Sequence, residues 1–125
     1  MIEAIDQERL ALCRAYGVKV RDVAQTFHDE YGYEGTLYEI IKHADVYKGI
    51  KGPSALNSRF LTEDIPYSLR AIQTLAQIAN IPTPAIDTVV NLAYILLGDD
   101  LDEGRTLSQL GVNSITTVSE LLELC

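Results

Sequence analysis

Cysteine is scarce in this sequence. Cys13 and Cys125 are the two present, and they lie far apart, which excludes a small disulfide-stapled scaffold and reads as reduced thiols in a cytoplasmic protein. Cys13 is expected in a helix core and Cys125 at a frayed end. Basic residues are outnumbered, 10 against 18 acids, for a formal net charge of −8. That balance argues against a nucleic-acid backbone or an anionic membrane as partner. No apolar run reaches the roughly 20 residues that span a bilayer, and the start, Met1 to Asp6, is acidic and amphipathic, unlike a secretory leader. The eight glycines never form G-x-G-x-x-G, the turn that cradles a dinucleotide phosphate. Nor does any stretch show the strict alternation of a half-buried strand. A Rossmann sheet is therefore not expected here. Two histidines, His28 and His43, stand fifteen positions apart, which is no metal spacing.

What the sequence does have is apolar residues at helical intervals. A length of 125 residues, 47% hydrophobic, suits a single domain able to bury a core. The chain is organised around Asn57 to Gly98. Ile65, Leu69, Ile72, Leu75, Ala76 and Ala79 fall in steps of three and four, one face of a helix. Pro66 is predicted in the first turn, where a missing amide hydrogen costs nothing, with Thr62 or Asp64 as the cap. Asn80 is a plausible stop. Ile81-Pro82-Thr83-Pro84 makes a stiff corner, with Thr83 as N-cap and Pro84 as the first helical residue. Ile86, Val89, Val90, Ala93, Leu96 and Leu97 carry the next helix, and Gly98 ends it. A tight helical hairpin follows.

The rest of the chain reads the same way. A helix runs from Ile2 to Tyr16, closed by Gly17. Met1 falls inside that pattern with no cap before it, which reads as a cut edge. A second helix starts near Arg21, with Val20, Val23, Ala24, Phe27 and Tyr31 in register and His28 partly exposed. Thr36 and Glu39 form a capping box for a short helix bearing Leu37, Ile40 and Ile41, and His43 sits at its end, where the helix dipole favours a cation. Residues 99–104 are a solvated acidic loop without the acid spacing of a calcium site. Thr106 with Gln109, and Thr117 with Glu120, open two further short helices. Leu110-Gly111-Val112-Asn113-Ser114-Ile115 looks like the serine motif of acyl-carrier domains, but eleven residues follow Ser114, too few for the helices that belong there. The expected fold is all-α: a compact bundle of four longer helices and two or three short ones.

One turn suggests chemistry: Arg59-Phe60-Leu61-Thr62-Glu63-Asp64. Arginine grips a carboxylate with two parallel hydrogen bonds, and a carboxylate can orient a histidine that works as general acid or base. By residue type alone, a capping acid and a surface ion pair are the commoner meaning of such a turn. Lys48 and Lys51, in the loop Val46 to Ser54, either line an anionic-substrate cleft beside Arg59 or are simply solvated. Tyr47 and Tyr67 flank the same place, although packing with the hydroxyl at the surface is the usual fate of tyrosine.

A resemblance adds to this reading. Tyr47-Lys48-Gly49-Ile50, the block from Arg59 to Tyr67, Pro82-Thr83-Pro84 with Ile86-Asp87, and Gly104-Arg105-Thr106-Leu107 with Leu110-Gly111 together resemble the C-terminal helical domain of the NAD/NADP octopine/nopaline (opine) dehydrogenase family. Ile5-Asp6-Gln7-Glu8-Arg9-Leu10 fits the same pattern. The match covers nearly the whole chain in order, and the block from Arg59 to Pro66 is its most specific part. The resemblance implies an all-helical domain that follows a Rossmann domain, in enzymes that reductively join a 2-oxo acid to the amino group of an amino acid. It implies NAD or NADP, bound by the domain absent from this chain. Arg59 matches the arginine that holds a substrate carboxylate. Asp64 matches the aspartate paired with a catalytic histidine, which belongs upstream of Met1. Neither His28 nor His43 takes that role. Many members have a histidine before the arginine; Ser58 stands there.

The expectation is thus a single truncated helical domain, residues 1–125, that binds substrate through Arg59, Tyr67 and Lys48, with Asp64 catalytic. Its partners are a Rossmann domain in cis or trans and the two small substrates. Alone, it is expected to be inactive. The alternative is a stand-alone helical interaction or dimerisation module, with apolar surface driving a homodimer.

Overall fold

A computed structural model describes residues 1–124, so the reading of Cys125 falls outside the described residues. Every regular element is helical: α1 (Ile2–Ala15), α2 (Val23–Tyr31), α3 (Leu37–His43), α4 (Arg59–Thr62), α5 (Arg70–Ile78), α6 (Pro84–Leu97) and α7 (Val118–Leu122). No strand occurs among the described residues. Four helices of nine residues or more and three shorter ones make the all-α architecture that the periodicity implies.

The core is where α6 meets the start of the hairpin. Ile65, Ile86, Val90, Ala93 and Leu101 form one buried cluster, and Ile5, Leu61, Leu69 and Ile72 pack against it. Ile86 and Val90 are fully enclosed. Truncating either to alanine would cost about 1–4 kcal/mol, since lost transfer energy adds to the cavity left behind.

The motif Asp6-Gln7-Glu8-Arg9 on α1 holds the bundle together by capping other helices. Glu8 reaches α6, where its two carboxylate oxygens accept from the Ala85 and Ile86 amides at 2.7 and 2.9 Å. Those amides have no partner within their own helix, and the positive end of the dipole attracts the charge. Thr83 is the N-cap residue by position, but its side chain makes no cap bond and turns instead to Asp87. Asp6, buried at 6% exposure, accepts from Val23 N at the start of α2 and from Arg9. Arg9 in turn donates to the Arg21 carbonyl.

Several boundaries differ from the sequence expectation. The hairpin's first arm begins at Arg59, six residues earlier than Ile65, with Ser58 in the N-cap position. Thr62 and Asp64 are therefore inside a helical run and cap nothing. Pro66 sits in the interior of that run, and the chain accommodates it by widening into a π turn over Ile65–Leu69. A proline in a helix removes one internal bond and crowds the preceding turn, and an i→i+5 turn relieves both. Arg70 N reaches the Ile65 carbonyl, so the Pro66 carbonyl is left over. It accepts from Arg105 N at 2.9 Å. The Thr74 hydroxyl donates to the Arg105 carbonyl at 2.7 Å, and the C-terminal segment is clamped to the hairpin at two points.

Asn80 stops α5 as expected. It adopts a left-handed φ of 53°, with Asn80 N bonded to Gln77 O and Ile81 N to Ala76 O, the paired pattern of a helix C-terminus. The capping box at Thr36 and the one at Thr117 are both complete. Thr106 accepts from Gln109 N, but the residues after it form turns rather than a helix. Val20 precedes α2 and is exposed, as are Tyr31 and Ile2. Asp22 caps α2 through Gln25 N, which places Val20 outside the helical register. Cys13 is half-buried rather than in the core, and its thiol is free.

Two outcomes follow. Gly104 has φ +71°, and a Cβ there would lie 2.1 Å from the Pro66 oxygen. Gly104→Ala should cost about 3 kcal/mol in urea denaturation, from backbone strain plus displacement of the clamp. Glu8→Ala should cost about 1–2 kcal/mol by uncapping α6, with Glu8→Gln in between because one acceptor oxygen survives.

Candidate functional site

The residues read as chemical lie along the surface of the first hairpin arm and the loop before it. Arg59 opens α4 and is 76% exposed on its side chain; its cation lies 3.8 Å from Glu63, one turn on. An exposed pair at that distance contributes little to stability. Five steps along a regular helix turn a side chain by about 140°, so the acid that faces Arg59 is Glu63 and not Asp64. Asp64 is exposed, and its carboxylate has no hydrogen bond or ion pair among the described residues. Tyr67 is half exposed on the π turn. Arg59, Asp64 and Tyr67 thus share one helical run, with both the arginine and the carboxylate open to solvent.

Lys48 belongs to a separate local pair. It closes a short 3-10 turn, Asp45–Tyr47, and its ammonium lies 2.5 Å from Asp45. The hydrogen bond and charge of Asp45 push the Lys48 pKa above its ordinary value. Tyr47 packs at a tilt against Phe27, 5.9 Å between ring centroids, continuing an aromatic strip through Tyr31 and Tyr33. Its ring is therefore engaged with α2.

Beside Arg59 the chain forms a hollow of about 440 Å³. Pro53, Ala55, Leu56, Phe60 and Leu61 supply its apolar lining, and Ser54 and Ser58 its polar one. The Ser58 hydroxyl is buried without a hydrogen-bond partner among the described residues. This wall is one-sided: Phe60 and Leu56 stay more than half exposed.

A second polar constellation carries no signal in the charge pattern of the sequence. Arg70 donates to the Gln73 oxygen at 2.5 Å, the Gln73 nitrogen donates to Asp87 at 2.6 Å, and the Thr83 hydroxyl donates to the same Asp87 oxygen at 3.0 Å. These bonds lace α5 to α6 across the corner. Arg70 and Gln73 lie one turn apart on α5, and Thr83 and Asp87 one turn apart around the start of α6; only the fold of the hairpin brings the two pairs together. The i, i+4 spacing of Thr83 and Asp87 is the one hint available beforehand.

Comparison with known proteins bears on what this surface is for. A family profile described as NAD/NADP octopine/nopaline dehydrogenase, alpha-helical domain, matches residues 1–97. An opine dehydrogenase of Arthrobacter sp. (strain 1C) is 36% identical over 118 residues, covering 93% of this chain and 33% of that protein. The protein ocs of Agrobacterium tumefaciens (strain Ach5) is 30% identical over 113 residues, 89% of this chain and 32% of that protein. A tauropine dehydrogenase of Arabella iricolor is 29% identical over 84 residues, 59% of this chain and 21% of that protein. The chain spans about a third of the length of the first two relatives.

The Lys48–Asp45 pair can be tested by itself. With the lysine pKa raised by its partner, Asp45→Asn should return it toward its ordinary value, read by NMR titration of the side-chain ammonium. An unchanged titration would mean that the pair does not form in solution.

Proposed function

This chain belongs to the NAD/NADP octopine/nopaline dehydrogenase family, as its alpha-helical domain, and from that premise we propose that it is the substrate-binding part of an opine-type dehydrogenase. The whole enzyme would reductively join a 2-oxo acid to the amino group of an amino acid. The residues present do not fit a dinucleotide. No glycine turn of the right spacing exists, and among the described residues no strand leads into a helix to form one. On this reading NAD or NADP would be held by a Rossmann domain supplied in cis or in trans, and no step through it is assigned to this chain.

The observation that carries the reading is that Arg59 and Asp64 are both open to solvent on one helical run, although they face different ways and neither lines the neighbouring hollow. Neither side chain supports the core, so both are available to a ligand. Arg59 would leave its weak pair with Glu63 and hold a substrate carboxylate by its planar fork. Asp64 would orient a histidine contributed from outside this chain, keeping its proton on the useful nitrogen. Tyr67 and Lys48 would complete the polar rim, with Lys48 kept charged by Asp45. A second wall would exclude water, which strengthens each of these interactions. Localisation in the cytoplasm accords with a soluble dehydrogenase; no helix among the described residues is long and apolar enough to cross a membrane.

One observation favours a rival. Leu92, Ile95 and Leu96 leave α6 with an exposed apolar stripe. In an interaction module this stripe would join two copies into a homodimer without any catalysis.

Mixed with or fused to the Rossmann domain of a family relative, the chain should support NADH oxidation with pyruvate and an amino acid. Arg59→Ala and Asp64→Ala should each slow it by about 100-fold or more, while thermal melting stays unchanged because both residues are exposed. Undiminished turnover in both variants would remove their roles. No turnover at all, together with a dimer in sedimentation, would favour the interaction module.

A further inference from the structure

We infer that Gly104 and Arg105 are positioning residues for the surface that bears Arg59 and Asp64, acting through the backbone carbonyl of Pro66. Gly104 is buried against the widened turn, and Arg105 contributes its backbone amide. The functional half of this inference rests on the reading of Arg59 and Asp64 given above; the structural half does not.

Three observations converge. First, the Pro66 carbonyl has two donors within reach. In a regular helix it would accept from the Arg70 amide, four residues on. Here the Arg70 amide goes to Ile65 instead, and Pro66 accepts from Arg105 N at 2.9 Å. Pro66 and Gly104 are both buried, and a carbonyl left without a donor there is costly. The widened turn therefore depends on a partner for the carbonyl it displaces. Second, that partner is itself held in place. The Arg105 carbonyl accepts from the buried Thr74 at 2.7 Å. The Tyr94 hydroxyl meets the carbonyls of Asp102 and Glu103 at 2.8 and 3.0 Å, and Leu101 is part of the core. α5 and α6 thus deliver the amide to the turn, and glycine lets it approach, since a Cβ at Gly104 would also lie 2.5 Å from the Pro66 Cα. Third, the register of the arm depends on the turn. Closing it to regular i→i+4 bonds would slip everything before it by one residue, a rotation of about 100° relative to α5. Leu61, Thr62 and Ile65, now turned inward, would give way to Thr62, Glu63 and Pro66. Ile65 would take the outward place of Asp64, and Asp64 that of Glu63. The apolar pattern of the arm favours the widened register, while the helix's own hydrogen bond favours the closed one. The Arg105 amide removes the second preference, and with it fixes the directions in which Arg59 and Asp64 point.

The test exchanges one group. A backbone ester in place of the Arg105 N–H, introduced by semisynthesis of the full chain, removes the donor and leaves every side chain as it was. In the parent, NMR should show hydrogen-bond scalar couplings from Arg105 N to the Pro66 carbonyl carbon and from Arg70 N to that of Ile65. In the ester variant the Arg70 coupling should pass to Pro66, and the amides from Arg59 to Asp64 should shift while those of α2 and α3 stay. Gly104→Ala should do the same; the ester keeps the test decisive where that variant does not fold. Joined to the Rossmann domain of a family relative, the ester variant should lose about tenfold or more in kcat. The limb of its kcat/KM profile that reports the histidine should move to lower pH, because that group loses a carboxylate neighbour. Ile40→Ala, a destabilising change at a buried position of α3, should leave the limb in place, which separates positioning from mere loss of stability. An Arg70 coupling that stays on Ile65, with the amides of the arm unmoved, would overturn the inference. So would a slipped arm with an unchanged pH profile in a hybrid that Arg59→Ala and Asp64→Ala impair. An inactive parent hybrid would overturn the functional half together with the reading it rests on, while the couplings still decide the structural half.

Discussion

The grip of the Glu8 carboxylate on the first amides of α6 is the contact on which the arrangement of this domain rests. It spans 78 residues of sequence at its longer bond and ties the first helix to the one that carries most of the core. The bonds are charge-assisted and aligned with the helix dipole, so they set both the position and the direction of α6. Asp6 and Arg9, two residues before and one after, do the same for α2 and the strand of chain leading into it. One turn of α1 thus organises two other helices. The apolar contacts of Ile86, Val90 and Ala93 then supply the bulk of the stabilisation, but they are non-directional and would tolerate other packings.

The second organising device is the π turn at Pro66. A regular helix would use the Pro66 carbonyl internally. The widened turn releases it for Arg105, and Gly104 lets the backbone approach closely enough for that bond. The proline and the glycine lie 38 positions apart in sequence, yet they are two halves of one joint. Through it, the C-terminal segment closes over the polar cleft around Arg70. The same widened turn lies between Asp64 and α5, so Arg59 and Asp64 stand on a stretch whose geometry is set by packing from below.

This gives the domain a split character. Its lower side is fixed by buried clusters and long-range caps. Arg59, Asp64 and Tyr67 on the hairpin arm are exposed and, apart from the weak Arg59–Glu63 pair, make no ion pair among the described residues, and Lys48 stands exposed in its own pair with Asp45. Exposed charges interact weakly in water. On the proposed reading, a neighbouring domain supplies the missing wall, and with it the low dielectric in which an arginine and a carboxylate become effective. The chain spans about a third of its first two relatives.

Much of the architecture was legible beforehand for a local reason. The capping boxes at Thr36 and Thr117, the Asn80 stop and the corner Pro82–Pro84 each depend on residues within a few positions of one another, and a chain with period-3.6 apolar spacing and no alternating stretch can only be helical. The early start at Arg59 was not legible, because Pro66 suggests a helix beginning wherever its lost hydrogen bond has no tertiary compensation. Glu8 as the cap of α6 and the Arg70–Gln73–Asp87 relay were equally out of reach. By itself, the sequence determined the helical class and most helix ends, since these follow from nearest neighbours; Arg59 and Asp64 were singled out by the family resemblance, residue type alone favouring a capping acid and a surface ion pair. Only the tertiary structure decided which carboxylate caps which helix, which acid faces which arginine, and where polar groups from different helices meet, because those pairings depend on the direction in which each helix is packed.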